Sequence, residues 1–362
     1  MSDPLTIRSF RGPYMIRFVD DFAAPLKAEL REGDFLIIDE NLARLHAPRL
    51  DAFRRDHPHL LLAPAEPQKS YQAVEPIIDR LIRGGFRKNH RLVAIGGGIT
   101  QDVTAFIASI LYRGVGWIFV PTNLLSQCDS CIGSKTSINF GPFKNQIGGF
   151  HPPVLILNDL SWLDTLPRDE FRSGLGEMFH YFLLTGRADF ERVSRDYDQA
   201  FTDRAVLRGL IRRSLEIKQA MIERDEFDEG PRNVFNYGHS FGHALESYTD
   251  YAIPHGIAIC FGMDIANHVS AALGLITPAE AAEMRVLLAR NWHPTVPPAI
   301  ELDRYLDLLR KDKKNVGHDV RVILTRGLGD MFLTKVALDE RVRAAIAGCF
   351  EHYRSATPSH TP

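Results

Sequence analysis

Two histidines four residues apart stand in Asn236-Tyr-Gly-His239-Ser-Phe-Gly-His243-Ala-Leu-Glu246, and a third follows in Pro254-His255-Gly256. Residues three and four apart share one face of a helix. The spacing therefore predicts a helix over Phe235–Thr249 with Asn236, His239 and His243 turned toward one point, and His255 opening the next helix. Neutral imidazole is a common metal ligand whose second ring nitrogen takes a hydrogen-bond partner. Gly238 and Gly242 would let a neighbouring element come close. A polar helix face with hydrogen-bonded histidines accounts for the same spacing without a metal. Glu177, in Gly174-Leu-Gly-Glu177-Met-Phe-His180, adds a carboxylate from another predicted helix. One carboxylate with two histidines gives three protein ligands and an open position, the arrangement of catalytic zinc.

A second group of residues suits a nucleotide. Gly96-Gly97-Gly98-Ile99-Thr100-Gln101-Asp102 follows an expected strand and opens an expected helix. Glycines there let backbone N–H groups approach a pyrophosphate, and the helix N-terminus favours its charge. The run lacks the full GxGxxG pattern, and a structural turn would look the same. Asp39 and Asn41 could hydrogen-bond a ribose or cap a helix. Glu66 and Lys69 could clamp a nucleotide or form a solvated pair. The polar segment Pro121–Asn139, with Lys144-Asn145 beyond it, reads as a binding loop. Its lysines and asparagines suit a phosphorylated or carboxylated ligand. Lys218, Arg232 and Lys313–Lys314 add positive charge in the half that carries the histidines; a solvated surface is the plain alternative for Arg232 and the lysine pair.

These residues need elements to hold them. Short apolar runs at Tyr14–Val19, Phe35–Ile38, Leu60–Leu62, Leu92–Ile95 and Trp117–Val120 read as strands. Helix-like spacing lies between them at Asn41–Phe53, Ser70–Leu81 and Asp102–Leu111. The alternation predicts an α/β N-terminal domain of Rossmann-like, mostly parallel sheet type over residues 1–160. Residues 161–354 read as a mainly α-helical domain, with helices at Arg168–Leu184, Arg204–Arg224, Phe235–Thr249, His255–Leu273, Pro278–Asn291 and Leu302–Arg310. A short β segment, Val320–Leu324 with Met331–Val336, precedes a last helix at Asp339–Phe350. The tail, 355–362, reads as disordered.

The 362 residues carry a formal charge of −2, which gives no footprint for nucleic acid or a membrane surface. No apolar run is long enough to span a bilayer, and the first residues do not form a secretory signal. Four cysteines (128, 131, 260 and 349) read as free thiols, Cys128-Asp-Ser-Cys131 included, and imply a reduced, cytoplasmic protein.

Taken in order, Gly96–Asp102, Pro121–Asn139, Lys144-Asn145, Gly176-Glu177, Asn236–His243, His255-Gly256 and Asp312-Lys-Lys314 resemble the dehydroquinate synthase-like sugar phosphate cyclases from about residue 35 to about residue 325. The resemblance implies an NAD-binding α/β domain, a helical metal-binding domain and a homodimer. It implies Zn2+, with Co2+ as the alternative, on Glu177, His239 and His255, with His243 hydrogen-bonding beside the metal. NAD would draw on Asp39, Asn41, Glu66, Lys69, Gly98, Ile99, Thr100, Gln101, Asp102, Thr122, Asn123, Asp129, Lys135, Lys144 and Thr165. Lys135, Asn145, Lys218, Arg232, Asn236 and one of Lys313 and Lys314 resemble the groups that hold a sugar phosphate. Arg113 resembles an arginine that reaches into the neighbouring subunit. The implied reaction converts a phosphorylated ketose to a carbocycle with loss of phosphate, through transient NAD-dependent oxidation and aldol closure. A polyol dehydrogenase of the related two-domain fold is the alternative.

The chain departs from the family at four places. His180 stands where a substrate-contacting lysine is usual. Ser134 replaces a glycine before Lys135, and Gln101, replacing a glycine before Asp102, is expected to crowd the pyrophosphate turn. Asp228 stands where glutamate is usual. Arg232 and Asn236 are kept.

Overall fold

The computed structural model describes residues 3–141, 143–293, 295, 297–311 and 319–355. They form two compact units, Met1–Pro167 with Lys218–Phe227, and Arg168–Ile217 with Asp228–Pro362.

The first unit runs β1 (Leu5–Ile7), β2 (Tyr14–Val19), α1 (Ala23–Glu29), β3 (Phe35–Asp39), α2 (Glu40–Leu45), α3 (Ala47–Asp56), β4 (His59–Leu62), α4 (Tyr71–Arg83), β5 (Leu92–Gly96), α5 (Gly98–Ile110), β6 (Trp117–Pro121), β7 (Lys135–Phe140), β8 (Phe143–Phe150) and β9 (Leu155–Asp159). Seven strands make one sheet in the order β1-β2-β9-β6-β5-β3-β4. Only β1 pairs antiparallel; the other six run parallel. Every residue of β3, β5, β6 and β9 is buried. Continuous apolar strands of this kind belong to parallel sheets covered on both faces. The C-terminal ends of β3 and β5 deliver Asp39 and the Gly96–Gly98 turn, the edge where such sheets bind ligands.

Three expectations for this unit change. The single helix expected over Asn41–Phe53 is two, because the chain breaks at His46 and restarts with Pro48 in the first turn of α3. Leu155–Asp159, unassigned from sequence, is a central strand between β2 and β6. The polar segment is not a plain loop. Ser126–Ser130 forms a π-helical turn, and β7 and β8 form a hairpin.

The second unit contains α6 (Arg168–Leu184), α7 (Arg187–Asp196), α8 (Arg204–Ile222), α9 (His239–Tyr248), α10 (His255–Ala272), α11 (Pro278–Trp292), α12 (Leu302–Arg310), the hairpin β10 (Asp319–Thr325) and β11 (Met331–Ala337), and α13 (Glu340–Ser355). Helix α10 is its axis. Gly256 through Asn267 are all buried, as a helix surrounded by others requires; α6, α9, α11 and α13 pack on it. Two of these contacts are backbone against backbone. A Cβ on Gly256 would fall on the Ser173 backbone oxygen, and one on Gly176 would fall on that of Gly256. A Cβ on Gly242 would lie 2.9 Å from the Ala258 oxygen, and one on Gly262 would meet that of Gly238. Side chains at these four positions would force α6 and α9 away from α10.

The last turn of α8 and the segment after it, Lys218–Phe227, pack with the first unit. Arg8 N–H and guanidinium donate to Glu223, Ser9 Oγ donates to Glu226, and Phe227 packs its ring against those of Phe10 and Phe150. Lys218, grouped from sequence with the helical half, is therefore held in the α/β unit. The helix expected over Phe235–Thr249 is also divided. Pro231–Asn236 is a 3-10 turn, Gly238 takes a left-handed conformation (φ 81°), and α9 starts at His239. No helix among the described residues is long and apolar enough to cross a membrane. All four cysteines are free and buried.

Candidate metal centre and nucleotide turn

Glu177 lies in the middle of α6, His239 is the first residue of α9 and His255 the first of α10. The glycine contacts that draw α6 and α9 onto α10 bring the three side chains together. His239 Nε2 is 3.4 Å from Glu177 Oε1, and His255 Nε2 is 3.5 Å from Glu177 Oε2. One ligand atom from each lies within 4.8 Å of the other two.

The outer ring nitrogens are held by acceptors. His239 Nδ1 is 3.2 Å from the Tyr237 carbonyl, and His255 Nδ1 is 3.1 Å from Glu246 Oε1. A carbonyl or carboxylate partner places the ring proton on Nδ1, so in the neutral imidazole Nε2 presents a lone pair. Two such lone pairs then face one carboxylate. That arrangement is unfavourable unless a cation lies between them. Glu177 Oε2, moreover, is buried with no hydrogen-bond partner among the described residues. Burial raises the Glu177 carboxyl, and with no cation in place only charged forms of His239, His180 and His255 would hold it below the usual carboxylate range, a part that a bound cation would take instead. Burial also acts on Glu246, and His255 with His243 and His239 holds it low as well. The residues fit a divalent metal.

His243 stands beside this trio, its side chain 48% exposed and its Nε2 4.0 Å from Glu246 Oε2. His180 is buried against Glu177. Asn236 does not share the face of α9. It ends the 3-10 turn, and its Nδ2 donates to the Asn233 carbonyl at 2.9 Å; the helical pattern had no way to register the reversal at Gly238. Arg232 is buried in the same turn. Lys313 and Lys314 lie outside the described residues. Two further groupings occur among the described residues: His243 with Glu246 and His255, which shares His255 with the trio, and Asp264 with His268 and Cys349, which already has its cation. Arg285 donates to Asp264 Oδ1 at 2.9 Å and to Oδ2 at 2.7 Å.

In the first unit the Gly96–Gly98 turn joins β5 to α5. A Cβ on Gly97 would lie 2.6 Å from Asn123 Nδ2, whereas one on Gly98 would meet nothing within 4 Å. The space over Gly98, at the N-terminus of a helix, is a cradle open to a phosphate. Thr122 N–H donates to the Gly96 carbonyl at 3.1 Å, closing the turn. Lys69 Nζ joins Asp102 Oδ2 at 2.7 Å and Asn145 Oδ1 at 2.9 Å. Asn139 Nδ2 donates to Glu66 Oε1 at 2.8 Å, and Asn139 Oδ1 accepts from Asn145 N–H at 2.9 Å. One network thus joins Glu66, Lys69, Asp102 and Asn145 through Asn139, a residue given no role from sequence. Its only signal there was its place at the end of the polar segment. Lys218 Nζ reaches Asp129 through the backbone oxygen at 2.8 Å and Oδ1 at 2.7 Å.

Gln101 does not crowd the turn. It is buried, and its amide exchanges two 2.6 Å hydrogen bonds with Ser130. Asp39 caps α2, accepting from Asn41 N–H at 2.8 Å and from Leu42 N–H at 3.4 Å. Burial nevertheless pushes its carboxyl up. Thr165 Oγ1 pairs with His46 Nε2 at 2.8 Å. Arg113, Lys135, Lys144 and Asn41 are exposed; Ile99 and Thr100 lie in the first turn of α5.

Residues 59–173 match the family model for the 3-dehydroquinate synthase N-terminal domain, and residues 174–315 match that for its C-terminal domain. A 3-dehydroquinate synthase of Acidithiobacillus ferrooxidans is 36% identical over 88% of this chain and 89% of its own. Among solved structures, 2-deoxy-scyllo-inosose synthase in complex with carbaglucose-6-phosphate, NAD+ and Co2+ superposes with a TM-score of 0.83 at 22% identity, over 95% of this chain and 99% of that one. The 2-epi-5-epi-valiolone synthase of Streptomyces hygroscopicus with NAD+ and Zn2+ gives 0.83 at 24% identity, over 94% and 97%. With two family models covering most of its length and a relative at this identity, the chain belongs to the 3-dehydroquinate synthase family.

Proposed function

We propose that the protein is a sugar phosphate cyclase, a carbon–oxygen lyase that turns a phosphorylated ketose into a carbocycle with loss of phosphate. The reading rests on membership of the 3-dehydroquinate synthase family, and the observation that supports its chemistry is the pair of Nε2 atoms facing one buried carboxylate, with both outer nitrogens tied to acceptors. Glu177, His239 and His255 would hold a divalent metal, zinc or cobalt, and the first unit would hold NAD. When bound, the metal supplies Lewis acidity to a substrate oxygen, and NAD takes up a hydride that it returns within the same turnover.

The chain's own residues bind and orient. The α5 N-terminus with the open face of Gly98 receives the pyrophosphate. Asp39 and Asn41, at the end of β3, take the ribose. Glu66, Lys69, Asp102, Thr122, Asn123, Asp129, Lys144 and Thr165 complete the nucleotide set. Lys135, Asn145, Lys218, Arg232 and Asn236 hold the anionic and hydroxyl groups of the substrate. Asp129 aims Lys218 through its backbone oxygen and its carboxylate, the polar company a buried cation requires. His243 lends hydrogen bonding beside the metal. The sugar acid phosphate that yields 3-dehydroquinate is the first substrate to test, since the relative at 36% identity carries that name. We further read the protein as a cytoplasmic homodimer, in which Arg113, exposed and held at φ 62°, serves the partner's site.

The test is incubation with NAD+, Zn2+ and a panel of heptulosonate, heptulose and hexose phosphates, scored by phosphate release and product mass. One substrate should release stoichiometric phosphate with no net rise in NADH absorbance. A stoichiometric rise with an unphosphorylated polyol would establish a dehydrogenase instead.

A further inference from the structure

His180 lies one turn beyond Glu177 on α6 and is 1% exposed. Its Nδ1 is 3.7 Å from Glu177 Oε1, the oxygen that His239 Nε2 also faces. Aromatic rings wall it in: Tyr181 with centroids at 3.8 Å, His239 edge-on at 5.5 Å and Phe235 at 6.0 Å. Among the described residues, the mutually close ligand atoms around Glu177 come from Glu177, His239 and His255, and the His180 nitrogens are not among them.

A buried imidazole needs polar company, and among the described residues a metal-ligand carboxylate, that of Glu177, stands beside this one. The 3.7 Å separation is longer than a hydrogen bond, but a small rotation of the carboxylate would close it. Carboxylates that bind metals are themselves held by neighbouring donors, which fix the oxygen that faces the metal. A ring 1% exposed offers no surface to a dissolved substrate. We infer that His180 is a positioning residue of the metal centre. Its Nδ1–H anchors Glu177 Oε1, so that the carboxylate meets His239 and His255 at a fixed angle. The inference rests on Glu177, His239 and His255 holding a metal. It changes what the departure from lysine means. At this position the chain has exchanged a side chain long enough to reach substrate for one that stays beneath the metal.

The test is Co2+ titration of the metal-stripped full chain, read by the dissociation constant and the visible ligand-field absorption. His180→Phe keeps the ring volume and removes both nitrogens. It should raise the dissociation constant about 10- to 100-fold and shift the absorption. His180→Asn places an amide N–H near the Nδ1 position and should recover most of the affinity. Near-ultraviolet circular dichroism without metal should match the parent; if the phenyl ring is not accommodated, His180→Ala is scored by the same two readings. Wild-type affinity and spectrum in His180→Phe, alongside lost binding in Glu177→Gln, overturn the inference alone. Undiminished Co2+ binding in Glu177→Gln overturns the metal reading, and the inference falls with it.

Discussion

His239 and His255 differ in what holds the outer nitrogen, and the difference has consequences. The partner of His239 is a backbone carbonyl two residues earlier, which no side-chain change removes. The partner of His255 is the Glu246 side chain. Glu246→Ala should therefore weaken metal binding about 10- to 100-fold with Glu177 and both imidazoles still present. His239→Ala should leave the chain essentially metal-free after dialysis. Metal content and a competition titration read both. Asp39 gives a pH-dependent counterpart. Its carboxyl is raised by burial, so the folded state holds the proton more tightly than the unfolded one. Stability is therefore lost as pH rises from the ordinary carboxylate value through the raised one. Asn caps a helix as well as Asp. Asp39→Asn should thus gain stability relative to the parent as the pH is raised from about 4 to about 7, whereas Asp39→Ala should cost about 1 kcal/mol. Urea unfolding at the two pH values separates them.

Among elements, the seam of α10 with α6 and α9 sets the geometry of the centre. Gly176 and Gly256 adjoin two of the ligands in sequence. Gly256→Ala should cost about 1–3 kcal/mol or more by overpacking. Metal affinity should fall further than that of a variant equally destabilised elsewhere, since the added methyl parts Glu177 from His255. Thermal unfolding with and without Zn2+ measures both. The legibility of these elements in the sequence has the same physical basis. Tyr14–Val19, Arg168–Leu184 and Leu302–Arg310 match the observed bounds, because local periodicity determines them. The π-helical turn and the β7–β8 hairpin were hidden, since β8 is largely exposed and its apolar residues Phe143, Ile147 and Phe150 do not alternate with polar ones. The start of α9 depends on one left-handed glycine, and the placement of Lys218 on packing between residues far apart in the chain. The trio of Glu177, His239 and His255 could be named from sequence. Its closeness depends on glycines whose purpose appears only once α6 and α10 are seen touching.

For the whole molecule, the buried cysteines offer a simple check. Burial pushes the Cys131 and Cys260 thiols up to about 12, so neither forms thiolate at neutral pH. A disulfide-exchange reagent should label the native protein slowly and all four thiols at once in denaturant. The Cys128–Cys131 pair would then behave as packing, without redox function.

The seam also bears on when the centre can exist. Glu177 precedes His239 and His255 by some sixty residues or more, and the helices that carry them meet at glycine contacts so close that a Cβ would strike backbone. A growing chain therefore displays its carboxylate ligand before either imidazole is made, and it cannot close the trio until α10 has docked. Metal should leave the refolding rate almost unchanged while slowing unfolding, as late-forming contacts do. A cell short of metal would accumulate folded, inactive protein that a later supply of the ion could switch on without refolding.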